Sequence, residues 1–438
     1  MGFRYAHLAD LHLGSWREEK MRDLSTQAFL RAIDDCMAAK VDFILFAGDL
    51  FNTSLPSLDV LKIVARKLRE LSLAGIPLYA IAGSHDFSPS GKTMVDVLEN
   101  AGLLRNVCKG RVDQDSKELH LTFTVDSKTG AHITGILGRR GMLDKFYYEN
   151  LHRESLELMG SRSDVYSIFM FHTTIAEMLP TTLSMIDSQS VTFLPKGFDY
   201  YAGGHIHHPT QKSFLDEGYK MVTYTGALFP ANFSELEEFG RGGYYIVDVE
   251  ENQRGVDGVE GQSMSVEGHT QRVQFVPLKI VPHTAVYLKC AGKSADIMAY
   301  EVQQSLLRDV SGHVITIRLE GILEHGKPSD IAWKDIFAQL YERGALFVMT
   351  HTSKLESKQF EEIQLGERDP AKIEEDVISE HMQQLSTFDY DTEYKLTHDL
   401  LTCLNTTVRE GENKVDFLAR IEGDTSRLLS IAPFRQDL

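Results

Sequence analysis

Apolar and polar positions along the first 110 residues fall into blocks whose period changes. The runs RYAHLA (4–9), VDFILFAGD (41–49) and PLYAIAG (77–83) are short, almost continuously apolar and followed by loop residues, which predicts buried strands. Between them, 24–39 and 57–74 repeat large apolar residues at helical spacing, which predicts amphipathic helices. Strand, helix, strand, helix, strand implies a βαβ sheet, parallel around its centre. More strands are predicted at 119–125, 132–137, 166–171, 198–202, 221–225 and 243–249. A polar, glycine-rich excursion at 250–272 then leads to a short strand at 273–278.

The pattern restarts after Pro282. AVYLKC (285–290), a helix at 293–308, VITIRL (314–319), a helix at 331–342 and ALFVMT (345–350) make a small α/β unit. Charged, loosely patterned segments follow, with helical runs at 370–386 and 394–409 and short apolar stripes in VDFLARIEG and SRLLSIAPF. The expected domains are therefore 1–280, 283–355 and a tail at 370–438.

Composition narrows the class. With 438 residues, 42% hydrophobic and 25% charged, the chain is an ordinary globular protein large enough for more than one domain. No apolar run has membrane-spanning length, and MGFRYAHLAD has no signal-peptide pattern. The four cysteines lie far apart with no CxxC, so neither a disulfide framework nor a zinc ribbon is expected. A cytoplasmic protein is the default. The net charge of −18 argues against coating nucleic acid by general electrostatics, but not against a nuclease whose metals cancel carboxylates locally.

Candidate chemistry sits at the strand ends. Asp10 and His12 form D-L-H, Gly48 and Asp49 form G-D, residues 83–86 read G-S-H-D, His172 stands alone, and residues 204–207 read G-H-I-H. Each piece follows a predicted strand, and the carboxyl ends of adjacent strands share one crevice. In an extended exit residues i and i+2 face the same way, which pairs Asp10 with His12 and His205 with His207. Carboxylates and imidazoles suit two divalent ions, with Asp49, at the end of the central strand, as the bridging carboxylate. His7 lies inside a strand and is expected to be structural. His120, His132 and His152 carry no spacing signal. His208 is expected in a supporting or solvent-facing position. GSHDFSPSGKT lacks the glycine spacing of a P-loop.

The ordered set resembles the calcineurin-like metallophosphoesterase superfamily, whose pattern is D-x-H, G-D, G-N-H-[DE], a lone H and G-H-x-H. The resemblance implies a metallophosphoesterase β-sandwich flanked by helices, with Asp10, His12, Asp49 and His207 on one metal and Asp49, His172 and His205 on the other. It implies that His85 acts on the scissile phosphate, with Asp86 orienting it by a hydrogen bond. Ser84 departs from the pattern. The usual asparagine ligates the second metal, and a serine hydroxyl is a poorer donor, so a weaker second site is expected. HLADLHLG, FAGDLFN, PLYAIAGSHD, YYAGGHIHHP and TGALFP further resemble the SbcD-type double-strand-break repair nuclease of archaea and bacteria. That family implies two manganese ions per chain, with magnesium as a substitute, and 3′-to-5′ exonuclease and single-strand endonuclease action on DNA ends near the nucleoid. It also implies a homodimer formed through 57–74 and 87–100, a DNA-capping role for 283–355, and a tail that docks on an SMC-like coiled-coil ATPase. Arg139 and Arg140 are candidate DNA-backbone contacts. Two other functions compete: a small phosphodiester hydrolase, and a non-catalytic scaffold bridging DNA ends, the latter on account of Ser84.

Overall fold

The computed structural model describes residues 2–88, 91–183, 185–251, 264–265, 269–358, 389–407, 409, 412 and 414–429. Two compact units divide the chain, Met1–Ser357 and Lys358–Leu438.

The predicted opening alternation is present. Strands β1 (Phe3–Leu8), β2 (Phe43–Ala47) and β3 (Leu78–Ile81) are joined by helices α1 (Glu19–Ala38) and α2 (Leu58–Leu73). Each pairs in parallel with the next. On α1 the buried positions Leu24, Ala28, Phe29, Ala32, Ile33 and Cys36 recur at three and four, so one stripe seals the outer face of the sheet. Helix α2 begins at Ser57, whose hydroxyl accepts the Val60 N–H, a cap that satisfies an otherwise orphaned donor. These strands are the centre of a seven-stranded sheet in which Gly242–Glu251 joins β1 antiparallel.

A second sheet of six strands stacks on the first. Its middle strands His132–Gly135, Ser167–His172, Tyr200–Gly204 and Tyr219–Tyr224 run parallel. Tyr5, Phe43, Leu45 and Tyr79 from the first sheet meet Ile133, Ile168, Met170 and Tyr200 from the second in one buried cluster. Burying each such side chain is worth ~1.5–3 kcal/mol. Phe169, Phe171, Tyr201 and Tyr224 point to the opposite face of the second sheet and build a separate cluster there. This is the α/β sandwich flanked by helices that the family pattern implied.

Some elements differ from the sequence reading. The single strand expected at 119–125 is two strands in different sheets. Leu119–Leu121 pairs with Gly110–Val112, while Thr124–Val125 edges the second sheet. The change of partner occurs at Thr122, whose N–H donates to the Lys109 carbonyl at 2.9 Å. Strand Thr210–Phe214 escaped prediction because TQKSF is an exposed edge strand with no apolar alternation. Residues 283–357 form a three-stranded parallel sheet, His283–Lys289, Val314–Leu323 and Phe347–Ser357. Helices Ala295–Ser305 and Trp333–Glu342 pack on it around Met298, Val302, Ile317 and Leu340. In the second unit, helices Tyr390–Leu404 and Lys414–Leu428 meet where Cys403 lies 3.6 Å from Thr425. The second helix is continuous where the sequence suggested only short stripes. The helical run expected at 370–386 lies outside the described residues.

Candidate metal centre

All five sequence pieces converge. Asp10, Asp49 and Ser84 leave the carboxyl ends of β1, β2 and β3, and His172 and His205 leave adjacent strands of the second sheet. Close approach needs glycine: a Cβ on Gly48 would strike the His172 ring, and one on Gly83 would strike Asp49. Among the described residues, six non-glycine residues have positive φ, and Asp10, His12, Asp49 and His205 are four of them. Each such conformation costs on the order of 1–3 kcal/mol and marks a site whose surroundings over-determine it.

Three ligand groupings share members: Asp10, His12 and His207; His12, Asp49 and His85; Asp49, His172 and His205. Asp49 sits between the others. Its Oδ1 accepts the His85 N–H at 2.7 Å and its Oδ2 the Ser84 hydroxyl at 3.3 Å. Oδ2 also lies 3.2 Å from His172 Nε2 and 3.6 Å from His12 Nε2. Asp10 accepts the His205 N–H on both oxygens, at 2.9 and 3.0 Å.

The donor set fits divalent cations. His172 Nδ1 lies 2.8 Å from the Ala47 carbonyl, and a carbonyl only accepts, so Nδ1 carries the proton. Nε2 of the neutral ring then turns a lone pair towards Asp49 Oδ2, and it is buried with no hydrogen-bond partner among the described residues. Two electron-rich atoms this close require a positive charge, either a proton or a metal ion. Burial lowers the pKa of His172, but Asp49 and then Asp10 reverse this and hold it up to about 10. His12 and His205 fall to about 3, chiefly through burial and next through a neighbouring imidazole. They are neutral near pH 7, the form that ligates metals. Burial raises Asp10 to about 6, while for Asp49 it is outweighed by His172 and His12, which hold the carboxyl well below the usual range.

Ser84 lies in the centre and is 5% exposed. His85 stands at its rim, its ring edge-on to His12 with centroids 4.8 Å apart. Its Nδ1 lies 2.8 Å from the Asn52 carbonyl. The expectation that Asp86 orients His85 is corrected here. Asp86 is buried, and its oxygens accept the N–H groups of Gly83 (2.8 Å), Asp49 (3.0 Å) and Phe51 (3.4 Å). It ties the loops after β2 and β3 together, and burial followed by Asp49 pushes it up to about 7. Arg140 approaches His85, with a guanidinium nitrogen 3.4 Å from Nδ1. Arg139 stacks on Phe87 at 5.0 Å and donates to the Tyr147 hydroxyl at 3.3 Å. His7 is structural, buried against the Tyr200 hydroxyl at 3.0 Å, and His208 packs on Phe239.

Two contributors have no counterpart in the sequence reading. One is the Asn52 carbonyl. The other is Glu235, whose Oε1 lies 2.8 Å from His207 Nδ1. Its only sequence signal is the N-x-x-E pattern with Asn232, which caps helix Phe233–Phe239. Glu235 keeps the His207 proton on Nδ1, which leaves the lone pair of Nε2 as the candidate ligand atom. Glu235→Gln is therefore expected to weaken divalent-metal affinity by ~10–100-fold with the fold retained. Isothermal titration with manganese checks this, and unchanged affinity would remove Glu235 from the centre.

Comparison with known proteins agrees with this geometry. Residues 3–209 match the calcineurin-like phosphoesterase family. The DNA double-strand break repair protein Mre11 of Methanococcus maripaludis is 28% identical over 258 residues, 56% of this chain and 63% of that protein. Its namesake in Archaeoglobus fulgidus is 26% identical over 381 residues, 77% of this chain and 79% of the relative. A component of the nuclease SbcCD of Staphylococcus epidermidis is 26% identical over 57% of this chain and 67% of its own length. The chain thus covers less than two thirds of the Methanococcus relative. Among the described residues, no helix is long and apolar enough to cross a membrane.

Proposed function

We propose, from the match of residues 3–209 to the calcineurin-like phosphoesterase family, that this chain is a manganese-dependent nuclease with 3′-to-5′ exonuclease action on DNA duplex ends and endonuclease action on single strands. The observation that carries the reading is Asp49 shared between two ligand groupings, with His85 at the rim. Asp10, His12, Asp49 and His207 would hold one ion, and Asp49, His172 and His205 the other, with Ser84 beside it. When bound, the ions acidify the attacking water and offset charge on the phosphoryl oxygens. His85 is held by its N–H on Asp49 and by Nδ1 on Asn52. This leaves Nε2, which donates to a phosphoryl or leaving oxygen when the ring is a doubly protonated imidazolium. Arg140 adds positive charge on the same side, where a DNA backbone would pass.

DNA is favoured over small esters by the kind of relative this chain matches. A homodimer through 57–74 and 87–100 is supported by Leu58, Leu73 and Val97, which are 81%, 72% and 52% exposed. The unit 283–355 would steer DNA towards the centre. A tail that docks on an SMC-like ATPase is supported by Leu404, Val415 and Leu418, which are 59%, 74% and 54% exposed.

The test is stepwise shortening of a linear duplex in manganese, run beside bis(p-nitrophenyl) phosphate. Chelator-sensitive shortening supports the nuclease. Ready turnover of the chromogenic diester with the duplex intact would mean a small-phosphodiester hydrolase, and tight DNA binding with neither reaction would mean a scaffold. Ser84 offers only a hydroxyl 3.3 Å from Asp49. Ser84→Asn, which restores a carboxamide oxygen, is accordingly expected to tighten the second manganese by ~10-fold. Metal titration of the variant reads this directly, and a loss of affinity would show that serine is the fitted residue.

A further inference from the structure

A separate set of metal-ligating side chains lies outside this centre. Glu118, His120 and His152 offer ligand atoms that all fall within 4.8 Å of one another. Backbone pairing brings them together. Leu119 and Leu151 form a parallel bridge. The Leu119 N–H donates to the Asn150 carbonyl at 2.7 Å, and the His152 N–H to the Leu119 carbonyl at 3.0 Å. Leu151 and Leu119 turn into the cluster on the outer face of the second sheet. Their flanking residues Glu118, His120 and His152 therefore share the opposite, half-buried side.

The two imidazoles stack, with centroids 4.2 Å apart and planes at 23°, close to the ~4.8 Å spacing of paired strands. His152 Nδ1 lies 2.9 Å from the Ser155 hydroxyl, which leaves Nε2 for a ligand. Two imidazoles and one carboxylate match a borderline divalent ion. Magnesium and calcium prefer all-oxygen sets.

We propose that Glu118, His120 and His152 form a third cation site of the zinc class, which clamps the hairpin Gly110–Val112/Leu119–Leu121 to the start of helix Arg153–Gly160. The site is independent of the phosphoesterase reading and stands or falls separately from it.

The experiment loads the full chain and a His120→Ala/His152→Ala variant with zinc by dialysis and counts metal per chain by mass spectrometry. Zinc entering the Asp49 centre is common to both proteins, so the difference isolates the new site. The expected result is one zinc per chain fewer in the variant, with manganese-dependent DNA cleavage unchanged. Equal zinc content in the two folded proteins overturns the proposal. Should the variant fail to fold, nitrogen-15 histidine spectra of the unmodified protein decide: zinc must shift the His120 and His152 ring resonances, and rings that stay still after saturation overturn the site.

Discussion

Replacing His85 with alanine is expected to lower manganese-dependent DNA cleavage by roughly 10²–10³-fold while leaving metal content unchanged. The two effects separate because His85 touches the centre twice. Its main-chain N–H donates to Asp49 Oδ1 at 2.7 Å, and alanine keeps that bond, so the carboxylate stays in place. What disappears is the ring, with Nδ1 on the Asn52 carbonyl. A lost donor to the phosphoryl or leaving oxygen affects the transition state more than substrate binding, so kcat should fall far more than KM rises. Single-turnover cleavage with metal analysis of the same sample makes the check. Cleavage within a few-fold of the unmodified protein would remove His85 from the chemistry. Loss of metal would make it a ligand instead.

The second large effect belongs to Asp49→Asn, which is expected to abolish tight binding of both ions and lower cleavage by ~10³-fold or more. The amide keeps the shape of the side chain but removes the negative charge shared by two ligand groupings. A variant that retained two ions per chain would refute the shared role.

The same substitution has a consequence for the chelated protein that does not depend on activity. His172 is raised from 6.5 to about 10, against the pull of burial, by Asp49 first and Asp10 next. A raised histidine stabilises the fold fully below its unfolded pKa, and that stability is lost as pH climbs through the folded value. Chelated unmodified protein is thus expected to lose stability between pH 6.5 and about 10. Asp49→Asn should flatten that slope, since its main cause is gone. Urea unfolding of both proteins across this range reads the difference, and parallel slopes would show that Asp49 does not set the proton on His172.

Much of the centre was legible before the fold was known. Buried strands announce themselves as short apolar runs, and their last residues must share an edge, so Asp10, Asp49, His172 and His205 were placed by local pattern alone. The i, i+2 spacing of Asp10 with His12 and of His205 with His207 had the same local origin. The backbone does more at these positions than an extended exit suggests: Asp10, His12, Asp49 and His205 all take positive φ. Residue type alone does not announce that strain, because aspartate and histidine are enriched among positive-φ residues yet adopt the conformation uncommonly.

Asp86, Glu235 and His120 mark the limit. Asp86 follows His85 in sequence, and adjacency suggested a partnership. The nearest unsatisfied donors were instead the main-chain N–H groups of Gly83, Asp49 and Phe51, brought in from two loops. Glu235 reads as a helix-start residue and only the packing of its helix brings it to His207. His120 and His152 carried no spacing signal, since a parallel bridge between distant segments is what stacks them. The sequence by itself determined which residues end the strands, and therefore the candidate ligands that the family pattern picks out, because strand burial and side-chain alternation are local properties of the chain. The tertiary structure alone decided which groups hold those ligands in place, because a hydrogen bond goes to whichever partner folding brings within about 3 Å, whatever its distance along the chain.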